Sequence, residues 1–209
     1  MGGTSAGLSA GMGPVGTLLL LGPPRWSSAE GEIPFLAERK FQLLAFLAHR
    51  ADWISRQQLA ELFWPDLDTA SARRNLRKLL FRLRESAGLP TIEERPGAVR
   101  WAVGTDLAAF EQAIAAGKVP EALSLWRGEP WQGLGVWFTC ERNRLLALWR
   151  DASLRLAAES SDTQTSLTLA GRLLEHDPLD EDAVRLLLGG PAQARPRAAA
   201  PAAPPPLPA

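Results

Sequence analysis

A mixed α+β domain followed by an all-α domain is predicted by three observations. Residues 17–36 are short apolar pieces broken by Gly and Pro. Residues 38–87 hold three amphipathic segments at helical spacing, the last dense in arginine, and a hairpin signal follows them. Past Asp106 only helical periodicity remains. A chain of 209 residues, 46% hydrophobic and 22% charged, is long enough to bury a core in each of two domains. Its net charge of zero conceals an asymmetry. Residues 1–104 carry thirteen Lys/Arg against ten Asp/Glu, and residues 105–209 carry ten against thirteen. A mildly basic module joined to a mildly acidic one suggests different partners for the two.

Taken in order, residues 1–16 are Gly, Ser, Ala and Thr with little to bury, and read as a flexible tail. Thr17–Leu21, Arg25–Ser28 and Ile33–Leu36 read as strands, separated by Gly-Pro-Pro and Ala-Glu-Gly-Glu. Glu38–His49 is a helix with Phe41, Leu44, Ala45 and Ala48 on one face. Ser55-Arg-Gln-Gln58 has the form of a capping box and starts a second helix through Leu59, Leu62 and Phe63. Trp64-Pro65 ends it, because Pro disfavours the helical region for the residue before it. Asp68 or Thr69 caps a third helix that runs to about Ala87, with Gly88 as its left-handed stop. Thr91–Glu94 and Val99–Val103 are strands around the turn Arg95-Pro-Gly-Ala98. Strands, three helices and a hairpin, in that order, predict a winged helix-turn-helix over residues 17–104.

The second domain, residues 105–188, is expected to be all-α and tetratricopeptide-like. Asp106 caps Leu107–Ala116, and Pro120 sits in the first turn of Glu121–Trp126. A connection rich in Gly and Trp leads to a long helix from about Phe138 to Ala158. Residues 163–176 and 180–188 then make a helical pair around Asp177-Pro178. From Gly189 to Ala209 the composition turns to Pro and Ala, which reads as a disordered tail arriving where a helical array should continue. The helical domain therefore reads as truncated.

The third helix carries the functional signal. SARRNLRKLLFRLRE, residues 71–85, places six cations in fifteen residues. At 100° per residue, Ala72, Leu76, Leu79, Leu80 and Leu83 form the stripe expected to be buried. Arg73, Arg77 and Arg84 fall on one flank of the opposite face, and Arg74, Lys78 and Arg82 on the other. Phe81 projects between them. Solvated helix faces usually mix charge signs at i,i+4, whereas Arg73/Arg77, Arg74/Lys78 and Lys78/Arg82 are like-charged pairs. A face that accepts this repulsion is suited to a polyanion. Arginine forks pair with guanine, Asn75 is suited to adenine, and Phe81 to a thymine methyl group. Arg95 and Arg100 on the hairpin are placed for the flanking backbone. The competing reading is a helical-repeat scaffold whose basic helix docks an acidic protein. A ligand sensor built on the Trp-rich region is a further alternative.

ERKFQLLAFLAHRADWISRQQLAELFWPDLDTASARRNLRKLLFRLRE resembles the winged-helix domain of the Streptomyces antibiotic regulatory protein family. Leu44, Ser55, Arg56, Leu59, Phe63, Trp64, Ala72, Arg73, Leu76, Leu83 and Arg84 stand in register with it. DLAAFEQAIAAGKVPEALSLWRGEPWQGL, FTCERNRLLALWRDASLRLA and LLEHDPLDEDAVRLLL are similar to that family's bacterial transcriptional activator domain. The resemblance spans roughly residues 17–188. It implies a bacterial transcriptional activator that inserts helix 68–86 into the major groove of double-stranded promoter DNA. It also implies occupation of tandem repeats, as a homodimer in one arrangement, and recruitment of RNA polymerase. The helical domain would serve oligomerisation or partner contact.

Other chemistries find little footing. Gly11-Met-Gly13-Pro-Val-Gly16 matches G-x-G-x-x-G but precedes a strand instead of following one. His49 and His176 fall at helix ends and a single cysteine, Cys140, lies elsewhere, so no zinc spacing exists. Cys140 and the tryptophans 126, 131, 137 and 149 read as packing residues. No catalytic constellation, cofactor or metal is expected, and no enzyme. The longest aliphatic run, Leu18–Leu21, is too short for a membrane span, no signal peptide is evident, and one cysteine fits a reducing compartment. A cytoplasmic protein, nucleoid-associated when on DNA, is the expectation.

Overall fold

The computed structural model describes residues 16–135 and 138–189. Apart from Gly16 and Gly189, the two expected tails lie outside these residues, as does Trp137. The fold is α+β, and by internal contacts the chain divides into two compact units, residues 1–143 and 144–209.

In the first unit, β1 (Gly16–Leu19), β2 (Arg25–Ser28) and β3 (Gly31–Pro34) form an antiparallel meander. Helix α1 (Arg39–Arg50) buries Phe41, Leu43, Leu44, Ala45, Leu47 and Ala48. It ends with Ala51 in the left-handed conformation, its N–H donating to the Leu47 carbonyl. A two-residue strand, β4 (Ile54–Ser55), leads straight into α2 (Arg56–Phe63). The capping box is complete: the Gln58 N–H donates to Ser55 Oγ at 3.1 Å, and the Ser55 N–H donates to Gln58 Oε1 at 3.3 Å.

Helix α3 (Thr69–Arg84) is capped by Asp68, which accepts from the Ser71 N–H at 3.0 Å. Hydrogen bonds from Ser71 hold the Asp68 carboxyl below the usual range. The helix stops three residues short of the expected Ala87. Gly88 does supply the left-handed residue (φ +79°) in the exit, and a Cβ there would stand 2.8 Å from Ile33 Cδ1. Hairpin β5 (Glu93–Arg95) and β6 (Ala98–Arg100) turns at Pro96-Gly97, with Gly97 at φ +77°. It joins β4 in a three-stranded sheet of order β4-β6-β5. Strand β7 (Gly104–Thr105) then pairs parallel with β1, completing a four-stranded sheet of order β3-β2-β1-β7.

Helices α4 (Asp106–Ala115) and α5 (Val119–Leu125) follow, with Pro120 in the first turn of α5 as expected. One expectation needs correcting: Thr105, not Asp106, caps α4, its hydroxyl accepting from the Ala108 N–H at 3.1 Å. Asp106 is only 3% exposed and faces the sheet instead. Its carboxylate accepts from the N–H groups of Leu20 (2.6 Å) and Leu21 (3.1 Å) and from Arg127. Leu20 and Leu21 lie beyond the β1 ladder, and buried N–H groups there need an acceptor. The Trp-rich connection completes the arrangement, since Arg127 and Trp131 donate their N–H groups to the carbonyls of Leu21 and Leu20. Trp131 is fully buried and stacks on Phe138 at 4.7 Å.

The long helix α6 (Thr139–Glu159) begins in this unit and runs into the second. The second unit continues with α7 (Thr163–His176) and α8 (Glu181–Gly189), close to the expected spans. Asp162 caps α7 by accepting from the N–H groups of Gln164 and Thr165. Trp149, Ala152, Leu169, Ala170, Leu173, Ala183 and Leu186 are buried. Arg150 lies at the centre of an ionic cluster, forked on Asp180 (2.6 and 2.8 Å) and bonded to Asp182 (2.7 Å), which also accepts from Arg185.

Candidate nucleic-acid interface

Helix α3 divides as its periodicity requires. Ala72, Leu76, Leu80 and Leu83 are buried, Leu79 is half-buried at the edge, and Arg73, Arg74, Arg77, Lys78, Phe81 and Arg82 are exposed. Asn75 is half-buried at the margin of the basic face. Phe81 is 56% exposed, a large apolar side chain left in solvent between cations. Its sixteen residues make a rod about 24 Å long.

Many cations of the first unit are compensated by carboxylates. Arg25, Lys40, Arg56, Arg84, Arg100 and Arg127 each pair with a carboxylate. Among the described residues, Arg74, Arg77, Lys78 and Arg82 form no ion pair, although Arg74 helps lower the Asp68 carboxyl. Arg73 donates to Gln57 Oε1 at 3.0 Å. Arg50 and Arg95 also form no ion pair among the described residues, but α3 gathers four such cations on one helix. Its i,i+4 repulsions cost about 0.2–0.5 kcal/mol each, offset within the unit only in part, by Asp68 near Arg74 and Gln57 on Arg73.

The hairpin stands beside this face with its charges engaged. Arg100 makes a two-nitrogen bond to Glu93, which raises its already high pKa. The Arg95 and Arg100 guanidinium groups lie 4.4 and 4.9 Å from the ring centre of Trp53, a cation–π arrangement that fixes both. Glu94, on the opposite face of β5, accepts a fork from Arg84 (2.7 and 2.6 Å) and a further bond from Arg56. The Arg84 bonds, with the charge of Arg56, hold the Glu94 carboxyl below its usual range despite partial burial.

Sequence reasoning passed over Arg56 and Trp53 as site residues. Arg56 lines a shallow cavity of about 190 Å³ with Arg73, Leu76, Arg77 and Leu80, which brings three arginines from two helices together. A signal for it existed: Arg56 is the first residue of α2, where the helix dipole disfavours a cation. Trp53 gave no signal, because its two arginines lie more than forty residues away in sequence.

The remaining residues singled out from sequence are placed as follows. Trp126, Trp131 and Trp149 are buried, as expected. Cys140 is exposed in the first turn of α6 and not a packing residue, since the helix turns that position outward. His49 and His176 do sit in last helical turns. Most of the Gly11–Gly16 motif lies outside the described residues. Among the described residues, no helix is long and apolar enough to cross a membrane. No group of three or more His, Cys, Asp and Glu is placed there to hold a metal ion.

Compared with models of known protein families and with curated proteins, the sequence matches none. The resemblance noted above therefore rests on the residues quoted for it.

Proposed function

We propose that this protein is a DNA-binding transcriptional regulator. In this reading residues 17–104 act as a winged helix-turn-helix and α3 enters the major groove of promoter DNA. One observation carries it: four cations of α3, with Phe81 among them, stand exposed and without ion pairs, while Arg25, Arg100 and Arg127 are neutralised. A major groove about 12 Å wide admits one helix, and arginine and lysine on its outer face reach guanine edges and phosphates there. The β5–β6 hairpin would be the wing, with Arg95 and Arg100 held on Trp53 beside the flanking backbone. This is a binding role and not a catalytic one.

The helical region, residues 105–188, is read as a tetratricopeptide-like partner module of the bacterial transcriptional activator type. Leu179 and Leu188, both more than four-fifths exposed, support protein contact there, with RNA polymerase or a second copy on tandem repeats as the partner. The same observation supports the competing scaffold reading, which needs no DNA at all.

Salt titration of binding to duplex DNA separates the two. We expect tighter binding to a segment from the protein's own upstream region than to random duplex, with a steep loss as salt rises. Absent binding to both at low salt overturns the DNA reading in favour of the scaffold.

A further inference from the structure

Glu94 is a single carboxylate serving two arginines, and it serves them unequally. Arg84 grips it with two nitrogens, at 2.7 and 2.6 Å. Arg56 reaches it with one nitrogen only, and its Nε is buried without a hydrogen-bond partner. Held at one atom, with its side chain about one-third exposed, Arg56 depends on this one carboxylate for its charge compensation. The same Arg56 borders the cavity shared with Arg73 and Arg77, the near edge of the uncompensated face. Register explains the placement. Glu93 pairs across the hairpin with Arg100, and Glu94 with the buried Val99, so the two acids project to opposite faces and Glu94 is turned toward the helices.

We propose that Glu94 is a specificity-setting residue, an internal anion that withholds Arg56 and Arg84 from phosphates and so limits sequence-independent DNA binding. The inference rests on the DNA-binding reading above. Sequence-independent affinity comes almost wholly from cations that neutralise phosphates, each adding about 0.9 to the slope of log affinity against log salt. Two arginines engaged by Glu94 are two that add nothing to that term on an arbitrary duplex. The four unpaired cations of α3 then dominate, and they lie where base edges are read.

The test compares full-length wild type, Glu94→Gln, the double variant Arg56→Met/Glu94→Gln, and Glu30→Gln as a charge-matched control on the exposed β2–β3 turn. Each is titrated with random-sequence duplex over a range of salt, with thermal unfolding followed in parallel. Glu94→Gln is expected to bind random duplex roughly ten-fold or more tightly at low salt, with a slope steeper by about one to two. The double variant should return about one of those units, and Glu30→Gln should stay close to wild type. A purely structural Glu94 would, on removal, loosen the hairpin and weaken binding. Weakened or unchanged binding by Glu94→Gln, or an equal gain in Glu30→Gln, overturns the proposal while leaving the DNA reading intact. Failure of every form to bind duplex at low salt overturns both.

Discussion

Arginine is used in opposite ways in the two units. In the second, Arg150 is enclosed by two nearly buried carboxylates, Asp180 and Asp182, and every bond it makes is internal. In the first, Arg77, Lys78 and Arg82 make no ion pair among the described residues and point to solvent. Arg150 holds helices together, whereas the α3 cations weaken their own helix slightly and gain only when something anionic arrives. The difference separates a charge whose partner is folded in from a charge that the first unit leaves without one.

The comparison is most severely tested at Arg150. Arg150→Met leaves Asp180 without its cation and Asp182 with Arg185 alone, and should destabilise the second unit by about 3 kcal/mol in denaturant unfolding. Acid dependence follows with a definite sign. Burial works against the Asp180 carboxylate, but the Arg150 fork and the Ala183 N–H outweigh it, so its pKa lies below the ordinary 3.8. A carboxyl depressed on folding contributes stability that is complete above its unfolded pKa and lost as pH falls through the folded one. Wild type should therefore lose this contribution only as pH falls below about 3.8, whereas Arg150→Met, with the fork no longer there to outweigh burial, should lack this acid-dependent loss.

The other side of the comparison predicts the reverse pattern. Arg77→Ala and Lys78→Ala should each change unfolding stability by less than about 0.5 kcal/mol. Where a bidentate base contact is removed, the same change should weaken binding to the preferred duplex by about 1–3 kcal/mol, and an unchanged footprint for both would remove α3 from the reading role. Ser55→Ala removes half of the capping box and should cost about 1 kcal/mol of stability, with α2 loosened beneath Arg56. Phe81→Ala should have the smallest effect on unfolding, below about 0.5 kcal/mol, because the ring buries little in the unit.

Local chemistry was legible in the sequence; pairing at a distance was not. The capping box at Ser55, the cap at Asp68, the turn at Gly97 and the buried stripe of α3 are all encoded within a few residues, and each appears where expected. Strand β7 is two residues long and pairs with β1 from far along the chain, so neither alternation nor a turn signal marks it. Asp106 was recognised as important but assigned the wrong contact, since a carboxylate at a helix start looks like a cap until the N–H groups of Leu20 and Leu21 are seen beside it. The basic face was legible because the α3 cations lie on one helix at fixed spacing. Which arginines carry uncompensated charge was not, because Glu94 meets Arg56 and Arg84 only after the hairpin has folded back.

The link from Leu20 to Asp106 crosses 86 residues, and that separation governs the order in which the molecule is completed. On a ribosome the first three strands emerge early, yet β1 lacks its parallel neighbour until Gly104 and Thr105 have been made. The N–H groups of Leu20 and Leu21 wait for Asp106, and their carbonyls wait for Arg127 and Trp131. The first sheet thus gains its last partners only from residues beyond Gly104, so a fragment ending at residue 104 would be an unfinished sheet.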